Sequence, residues 1–355
     1  AIIVAGLFTF FAAPVFGKVL RFFPPVVTGS VLLVMGTSLL AVSANDFVNY
    51  AEGVPADIDE PTQTLPQMLA RAASNSDALA LVSGDESMTY GELDARSNQF
   101  ARFLITRGVG PETSVVSACR RGISGQLAFW AIAKAGGALC QVDPAYPTDR
   151  IAMVVADSGA PLGVVEPESV SAMPDGAHWV VVDDDLWAQL DTFSVAPLSA
   201  DELIAPVRVD NAAYIIFTSG STGRPKGSAV THRATTTVAA LAAERFGLSS
   251  SSRMLAVSSP SFDAAVFESL VTYGNGATLV LSPPQVYGGA ELADVIVRQQ
   301  VSHAVIVPSV LATIPGLPDD ALPVLMTAGE ALPHAEMARW VSGDSARRMS
   351  NLYGP

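Results

Sequence analysis

Thr218-Ser-Gly-Ser-Thr-Gly-Arg-Pro-Lys-Gly227 follows directly on the apolar run Tyr214-Ile-Ile-Phe217. A short apolar run in that setting reads as a buried strand, and the strand delivers a hydroxyl- and glycine-rich loop that ends in a lysine. Gly220, Gly223 and Gly227 leave room for backbone N–H groups to approach an anion. Ser219, Ser221 and Thr222 add hydroxyl donors, and Lys226 adds a charge that neutralises phosphate. The loop differs from the P-loop pattern G-x-x-x-x-G-K-[ST]: Pro225 stands where the second glycine would be, and Gly227 where the Ser or Thr would be. It is a phosphate cradle of another type.

Outward from this loop, the chain from about Leu65 alternates short apolar runs with amphipathic helical patterns. That is the signature of an α/β protein with largely parallel sheets. Thr89-Tyr-Gly-Glu92 has the spacing of a capping box, and Leu93, Phe100 and Leu104 follow at helical intervals up to a stop at Gly108. Ser114–Cys119 reads as a buried strand and Gly125–Ala135 as a helix ended by Gly136-Gly137. Helix and strand pairs are expected at Pro147–Ala156 with Leu162–Val165, Ala234–Ala243 with Met254–Val257, and Ala290–Gln299 with His303–Val307. Leu322–Thr327 with His334–Trp340 closes the series, and no shared sequence recurs between the pairs, so a repeat architecture is not indicated.

At 355 residues the chain has room for more than one core-bearing unit. The formal charge of −14, with no cluster of Lys and Arg, argues against a nucleic-acid partner. Two cysteines, Cys119 and Cys140, suit a reducing cytoplasm for residues 46–355 and propose no disulfide framework. The four histidines show no zinc-site spacing.

Residues 1–17 and 22–45 are free of charged side chains, and Val26 to Ala44 is long enough to cross a bilayer as a helix. Residues 1–45 therefore read as a membrane-embedded segment, with an unusually apolar soluble hairpin as the alternative. Residues 46–64, with Pro55, Pro61 and the acidic Asp46, Glu52, Asp57, Asp59 and Glu60, read as a solvated linker to a domain at 65–355.

Two resemblances rest on these residues. Phe16-Gly-Lys-Val-Leu-Arg-Phe-Phe-Pro-Pro-Val-Val-Thr-Gly-Ser30 resembles a stretch of the xanthine/uracil permease family, which implies a permease-like fragment joined to the rest. The phosphate loop resembles the signature Y-x-x-[FY]-T-S-G-[ST]-T-G-x-P-K-G of the adenylate-forming (AMP-binding) enzymes. Met88-Thr-Tyr-Gly-Glu-Leu93, Lys134-Ala-Gly-Gly-Ala138 with Val142-Asp-Pro-Ala-Tyr-Pro147, Ser261-Phe-Asp-Ala264, Ala328-Gly-Glu-Ala331 and Asn351-Leu-Tyr-Gly-Pro355 match further motifs in order. The set is most similar to the adenylation domains of nonribosomal peptide synthetases.

The resemblance implies the large subdomain of the adenylate-forming fold, two β-sheets flanked by helices. It also implies attack of a carboxylate on the α-phosphate of ATP, with Mg²⁺, to give an acyl adenylate. By the same resemblance Thr218 to Lys226 hold the phosphates and Thr218 contacts the metal, while Gly329, Glu330, Ala331, Asn351, Tyr353 and Gly354 surround the adenine. Asp263 pairs with the α-ammonium of an amino acid, and Ala264, Phe267, Val305, Met326, Ala328 and Leu352 line an apolar side-chain pocket. In the family the acyl group then passes to the phosphopantetheine thiol of a carrier protein as a thioester, with AMP leaving.

Three readings stay open: an amino-acid adenylation enzyme, an acyl- or aryl-CoA synthetase, and a permease remnant fused to an adenylation domain. An Asp263 that merely caps the helix after it, or faces solvent, favours the second. Because the chain stops before the Thr-Glu and the mobile lid of the family pattern, it is expected to keep the fold and to lack turnover.

Overall fold

A computed structural model describes residues 63–218, 225–341 and 347–352. In chain order the strands are β1 Leu79–Ser83, β2 Glu86–Thr89, β3 Ser114–Ala118, β4 Ala138–Gln141, β5 Leu162–Val165, β6 His178–Val181 and β7 Ala212–Thr218. They continue with β8 Lys226–Thr231, β9 Arg253–Ala256, β10 Thr278–Leu281, β11 His303–Val305, β12 Val324–Thr327 and β13 Arg348–Asn351. One sheet runs β13-β12-β11-β9-β10-β1-β2 and the other β6-β5-β3-β4-β7-β8. Among the described residues, antiparallel pairing is confined to β1 with β2 and β7 with β8, at one edge of each sheet. The remaining pairs are parallel, as the alternation predicts.

Parallel neighbours need crossovers, and the helices supply most of them. They are α1 Leu65–Ala72, α2 Tyr90–Thr106, α3 Ile123–Ala135, α4 Thr148–Ser158, α5 Asp184–Leu190, α6 His232–Phe246, α7 Asp263–Gly274, α8 Gly289–Arg298, α9 Pro308–Leu311 and α10 His334–Val341. The predicted capping box is formed at the start of α2: Thr89 N donates to Glu92 Oε2 at 2.8 Å, and Glu92 N donates to Thr89 Oγ1 at 3.2 Å. Strands β5, β10 and β12 are buried along their whole length, because helices cover both faces of a parallel sheet.

The two sheets are joined where α3 of one meets α7 of the other. Trp130 stands edge-on to Tyr273 with ring centroids 5.0 Å apart, and Tyr90 Oη donates to the Ala277 carbonyl at 2.6 Å. All three rings are fully buried, so truncating one to alanine costs about 3–5 kcal/mol.

One strand departs from expectation. The run Tyr214–Phe217 is only half-buried: Ala213 and Ile216 are covered, whereas Thr218 is exposed. The reason is register. Strand β4 pairs with β7 only at Tyr214 and Ile215, and beyond that point β7 has β8 alone as a neighbour.

Residues 1–45, and with them the expected membrane segment and the permease resemblance, lie outside the described residues. Among the described residues no helix is long and apolar enough to cross a membrane.

Candidate active site

Strands β7 and β8 form a hairpin whose register places Thr218 opposite Lys226 and Phe217 opposite Gly227. A P-loop would run on into a helix, but this loop returns as an antiparallel strand, and α6 begins only after Thr231. The close pairing explains Gly227: a Cβ there would lie 3.0 Å from the Phe217 ring and 3.2 Å from the Ile215 side chain. Ser219, Gly220, Ser221, Thr222 and Gly223 lie outside the described residues. Lys226 is exposed at the mouth of the hairpin, where its ammonium faces no apolar cover.

Two adjoining cavities lie beside the hairpin. The smaller, about 260 Å³, is lined by Asp263, Ala264, Phe267, Val305, Ala328 and Leu352, six of the seven residues expected to contact substrate. They come from the first two turns of α7, the end of β11 and the segments after β12 and β13. Met326, the seventh, on β12, is fully buried in the core cluster against which Phe267 and Ala328 pack, and it does not line the cavity. Tyr214 of β7, Val230 of β8 and Thr235 of α6 complete the wall, none of them singled out from sequence.

The larger cavity, about 450 Å³, shares Asp263, Ala264, Val305 and Ala328 with the first, and adds Phe262, Tyr287, Gly329 and Glu330. Gly329 has φ +80°, a left-handed backbone that lets the chain turn sharply after β12. The Glu330 carboxylate accepts from Ser309 N and Ser309 Oγ, each at 2.9 Å, so it ties this turn to α9. Ala331 lines neither cavity and is exposed. Asn351 ends β13 opposite Thr327, whose hydroxyl donates to Asn351 Oδ1 at 3.3 Å. Tyr353 and Gly354 lie outside the described residues.

Asp263 is exposed at the boundary of both cavities. It does not cap α7: Phe262 occupies the cap position, with no side-chain hydrogen bond, and Asp263 is the first residue inside the helix. Its carboxylate is close enough to Tyr214 to add to the upward shift that burial gives the Tyr214 phenol.

Three further charged groups hold the loop between β9 and α7. Glu268, fully buried one turn into α7, accepts from Ser258 Oγ at 2.7 Å and from the N–H groups of Ser258 and Val257 at 3.2 and 3.4 Å. Burial pushes its carboxyl up to about 7, against those hydrogen bonds and the nearby Arg121 guanidinium. Arg121, just after β3 in the other sheet, donates to the carbonyls of Val257 at 2.6 Å, Ser282 at 2.7 Å, Pro283 at 2.7 Å and Val286 at 3.0 Å. It also lies over the Tyr287 ring, 4.7 Å from the centroid. Asp143 is the third. These roles were not read from sequence, although Asp143 lies in the motif Val142-Asp-Pro-Ala-Tyr-Pro147 and Glu268 is an acid in the largely apolar stretch after Asp263.

The β7/β8 hairpin, the two cavities at the ends of parallel strands and the ordered motifs are together the features of an adenylate-forming enzyme, and the family match agrees. Residues 69–355 match the family model of the AMP-binding enzyme, and the chain belongs to that family. It is 39% identical over 323 residues to the nonribosomal peptide synthetase CymA of Salinispora arenicola, covering 89% of this chain and 4% of that protein. It is 34% identical over 318 residues to novobiocin biosynthesis protein H of Streptomyces niveus, covering 88% and 52%. Among solved structures, the nonribosomal peptide synthetase FmoA3 in its AMPPNP-bound form superposes with a TM-score of 0.76 at 25% identity, over 88% of this chain and 33% of that one. The chain thus spans about half the length, or far less, of the curated relatives named.

Proposed function

We propose that residues 65–355 belong to an amino-acid adenylation domain that follows a linker at 46–64, and that its substrate is an α-amino acid with a hydrophobic side chain. The substrate carboxylate attacks the α-phosphate of ATP and pyrophosphate leaves; a carrier-protein phosphopantetheine thiol then attacks the acyl carbon of the aminoacyl adenylate, forming the thioester as AMP leaves. The observation that carries this reading is the smaller cavity. Among its described lining residues Asp263 is the one charged group, and Ala264, Phe267, Val305, Ala328 and Leu352 are apolar. An α-ammonium pairs with that carboxylate while the side chain lies among the apolar walls, which suits an aliphatic or aromatic group and penalises a second charge.

Thr218 and Lys226, opposite each other across the hairpin, are placed to grip the phosphates, where a fixed positive charge stabilises the charge that develops on them. Magnesium arrives with the nucleotide in this reading. Among the described residues there is no group of three or more His, Cys, Asp or Glu side chains to hold a resident ion, and one hydroxyl, that of Thr218, suits an ion already carried by phosphate oxygens. The kinship with nonribosomal peptide synthetases and the AMPPNP held by FmoA3 support this assignment.

Amino-acid-dependent ATP–pyrophosphate exchange in the intact protein tests it. Hydrophobic amino acids are expected to stimulate exchange, and a preference for acidic or basic ones sinks the reading. The exposure of Asp263 favours one competitor, an acyl- or aryl-CoA synthetase. Exchange driven equally well by the deamino acid would select that competitor.

A further inference from the structure

The loop that presents Asp263 has buried apolar residues in Val257 and Pro260, but next to the acid that cover ends: Phe262 is 57% exposed, and Asp263 itself is exposed. The side-chain hydrogen bonds that hold the loop come partly from the other sheet. Asp143 lies just after β4: its Oδ2 accepts from Ser259 Oγ at 2.8 Å, and its backbone N donates to Ser261 Oγ at 2.7 Å. Its Oδ1 accepts from Ala145 N at 3.0 Å, which sets the turn that aims the carboxylate. Upstream, Glu268 and Arg121 hold Val257 and Ser258. The segment from Ser259 to Ser261, the last before the substrate-facing residues, is therefore gripped by Asp143 from across the sheets. Asp143 lines neither cavity.

We propose that Asp143 is a positioning residue: through Ser259 and Ser261 it sets where the Asp263 carboxylate stands, and so how well the site recognises an α-ammonium. This rests on the reading of Asp263 given above. A group held within a few tenths of an ångström binds its counter-ion without first paying the entropy of ordering its loop. Releasing the loop therefore weakens ammonium recognition most: Ser258, Ser259 and Phe262 also border the larger cavity, but Gly329, Glu330 and the β7/β8 hairpin belong to other elements and stay in place.

The test compares two probes on the intact protein, leucyl-sulfamoyladenosine and its deamino analogue 4-methylpentanoyl-sulfamoyladenosine, which differ only by the α-ammonium. The wild-type protein is expected to bind the first more tightly, and Asp263→Ala to abolish that preference. Asp143→Ala is expected to reduce the preference roughly five- to twentyfold with affinity for the deamino probe kept within about twofold, a split that a general loss of structure would not give. Ser259→Ala acts in the same direction, and Asp143→Ala with Ser259→Ala is no worse than Asp143→Ala alone, the non-additivity of two partners in one contact. Asp143→Asn, which keeps an acceptor, retains more of the preference than the alanine variant.

If Asp263→Ala abolishes the preference while Asp143→Ala and Ser259→Ala leave it intact, the positioning role is overturned and the reading of Asp263 stands. If Asp263→Ala leaves the preference untouched, both fall. Should Asp143→Ala fail to fold, Ser259→Ala, which removes a single hydroxyl, decides the matter by the same ratio.

Discussion

The hairpin β7/β8 and the loop from β9 to α7 wall the same small cavity from opposite sides, Tyr214 and Val230 on one, Asp263 and Ala264 on the other. They are held in opposite ways. The hairpin is held by backbone pairing between partners 8 to 19 residues apart, with a tight glycine contact setting its register. The loop is held by side chains from 10 to 136 residues away, Glu268 from within the same sheet's helix and Asp143 and Arg121 from the other sheet. A phosphate site can thus be written into one short stretch, whereas a substrate site needs elements brought together by the whole fold.

Changes on either side separate the two. The largest effect is expected from Arg121→Ala, which leaves several carbonyls of the β9 and β10 loops unpaired and Glu268 without its nearest cation. A loss of about 3–5 kcal/mol in denaturant unfolding is expected, as for one partner removed from a buried charged network. An unfolding free energy equal to the wild type's would show that the loop is not anchored from the other sheet.

Next comes Asp263→Ala, which in the proposed reaction lowers kcat/KM for the amino acid by about a hundredfold, roughly 3 kcal/mol, for loss of one partner of an ion pair in a partly enclosed cavity. The KM for ATP is expected to hold. Steady-state exchange kinetics with each substrate varied in turn would show whether the two sides of the cavity separate in this way.

The hairpin side has its own weak point at the foot of β8. His232 opens α6, is fully buried, and accepts from Leu65 N through Nδ1 at 3.2 Å, a bond that requires an unprotonated Nδ1. Burial lowers its pKa from 6.5 to about 4, with Glu112 opposing weakly. Between those values the unfolded chain binds a proton that the folded one does not. Stability from this group is therefore complete above pH 6.5 and is lost as pH falls towards 4, by about 2–3 kcal/mol. His232→Asn, which can still accept from Leu65 N, is expected to flatten that part of the pH profile. Urea unfolding at pH 4.5 and pH 7 checks it, and an unchanged slope would assign the acid sensitivity elsewhere.

The smallest effect expected is from Lys226→Ala. At an exposed hairpin mouth the ammonium contributes about 2 kcal/mol towards the phosphates, seen as a roughly thirtyfold loss in kcat/KM for ATP with the amino-acid preference intact. A shift in amino-acid preference would show that the two walls are coupled after all.

Much of this molecule was legible before its structure. The capping box at Thr89, the alternation of strands and helices, and the strand–loop–lysine arrangement at Thr218 follow from local geometry, and each appears where expected. Six substrate-facing residues were named through resemblance, since no spacing rule links Asp263 to Val305 or Leu352. Met326 does not line the cavity although Ala328, two positions on, does, because burial along a strand depends on how far the cavity reaches along it. Tyr214 was read as strand core, and it is half-buried cavity wall, in a place decided by α6 and α7 packing beside β7 rather than by the strand's own sequence.

The sequence alone determined a strand followed by hydroxyls, glycines and a lysine within ten residues, the groups a phosphate needs, because such a run depends only on its own neighbours in the chain. The tertiary structure decided which acid borders both cavities and what steadies the loop before it. Asp143, Arg121 and Glu268 act on the Ser258–Ser261 segment across distances in the chain that only the packing of α3 on α7, and of one sheet beside the other, brings within hydrogen-bonding reach.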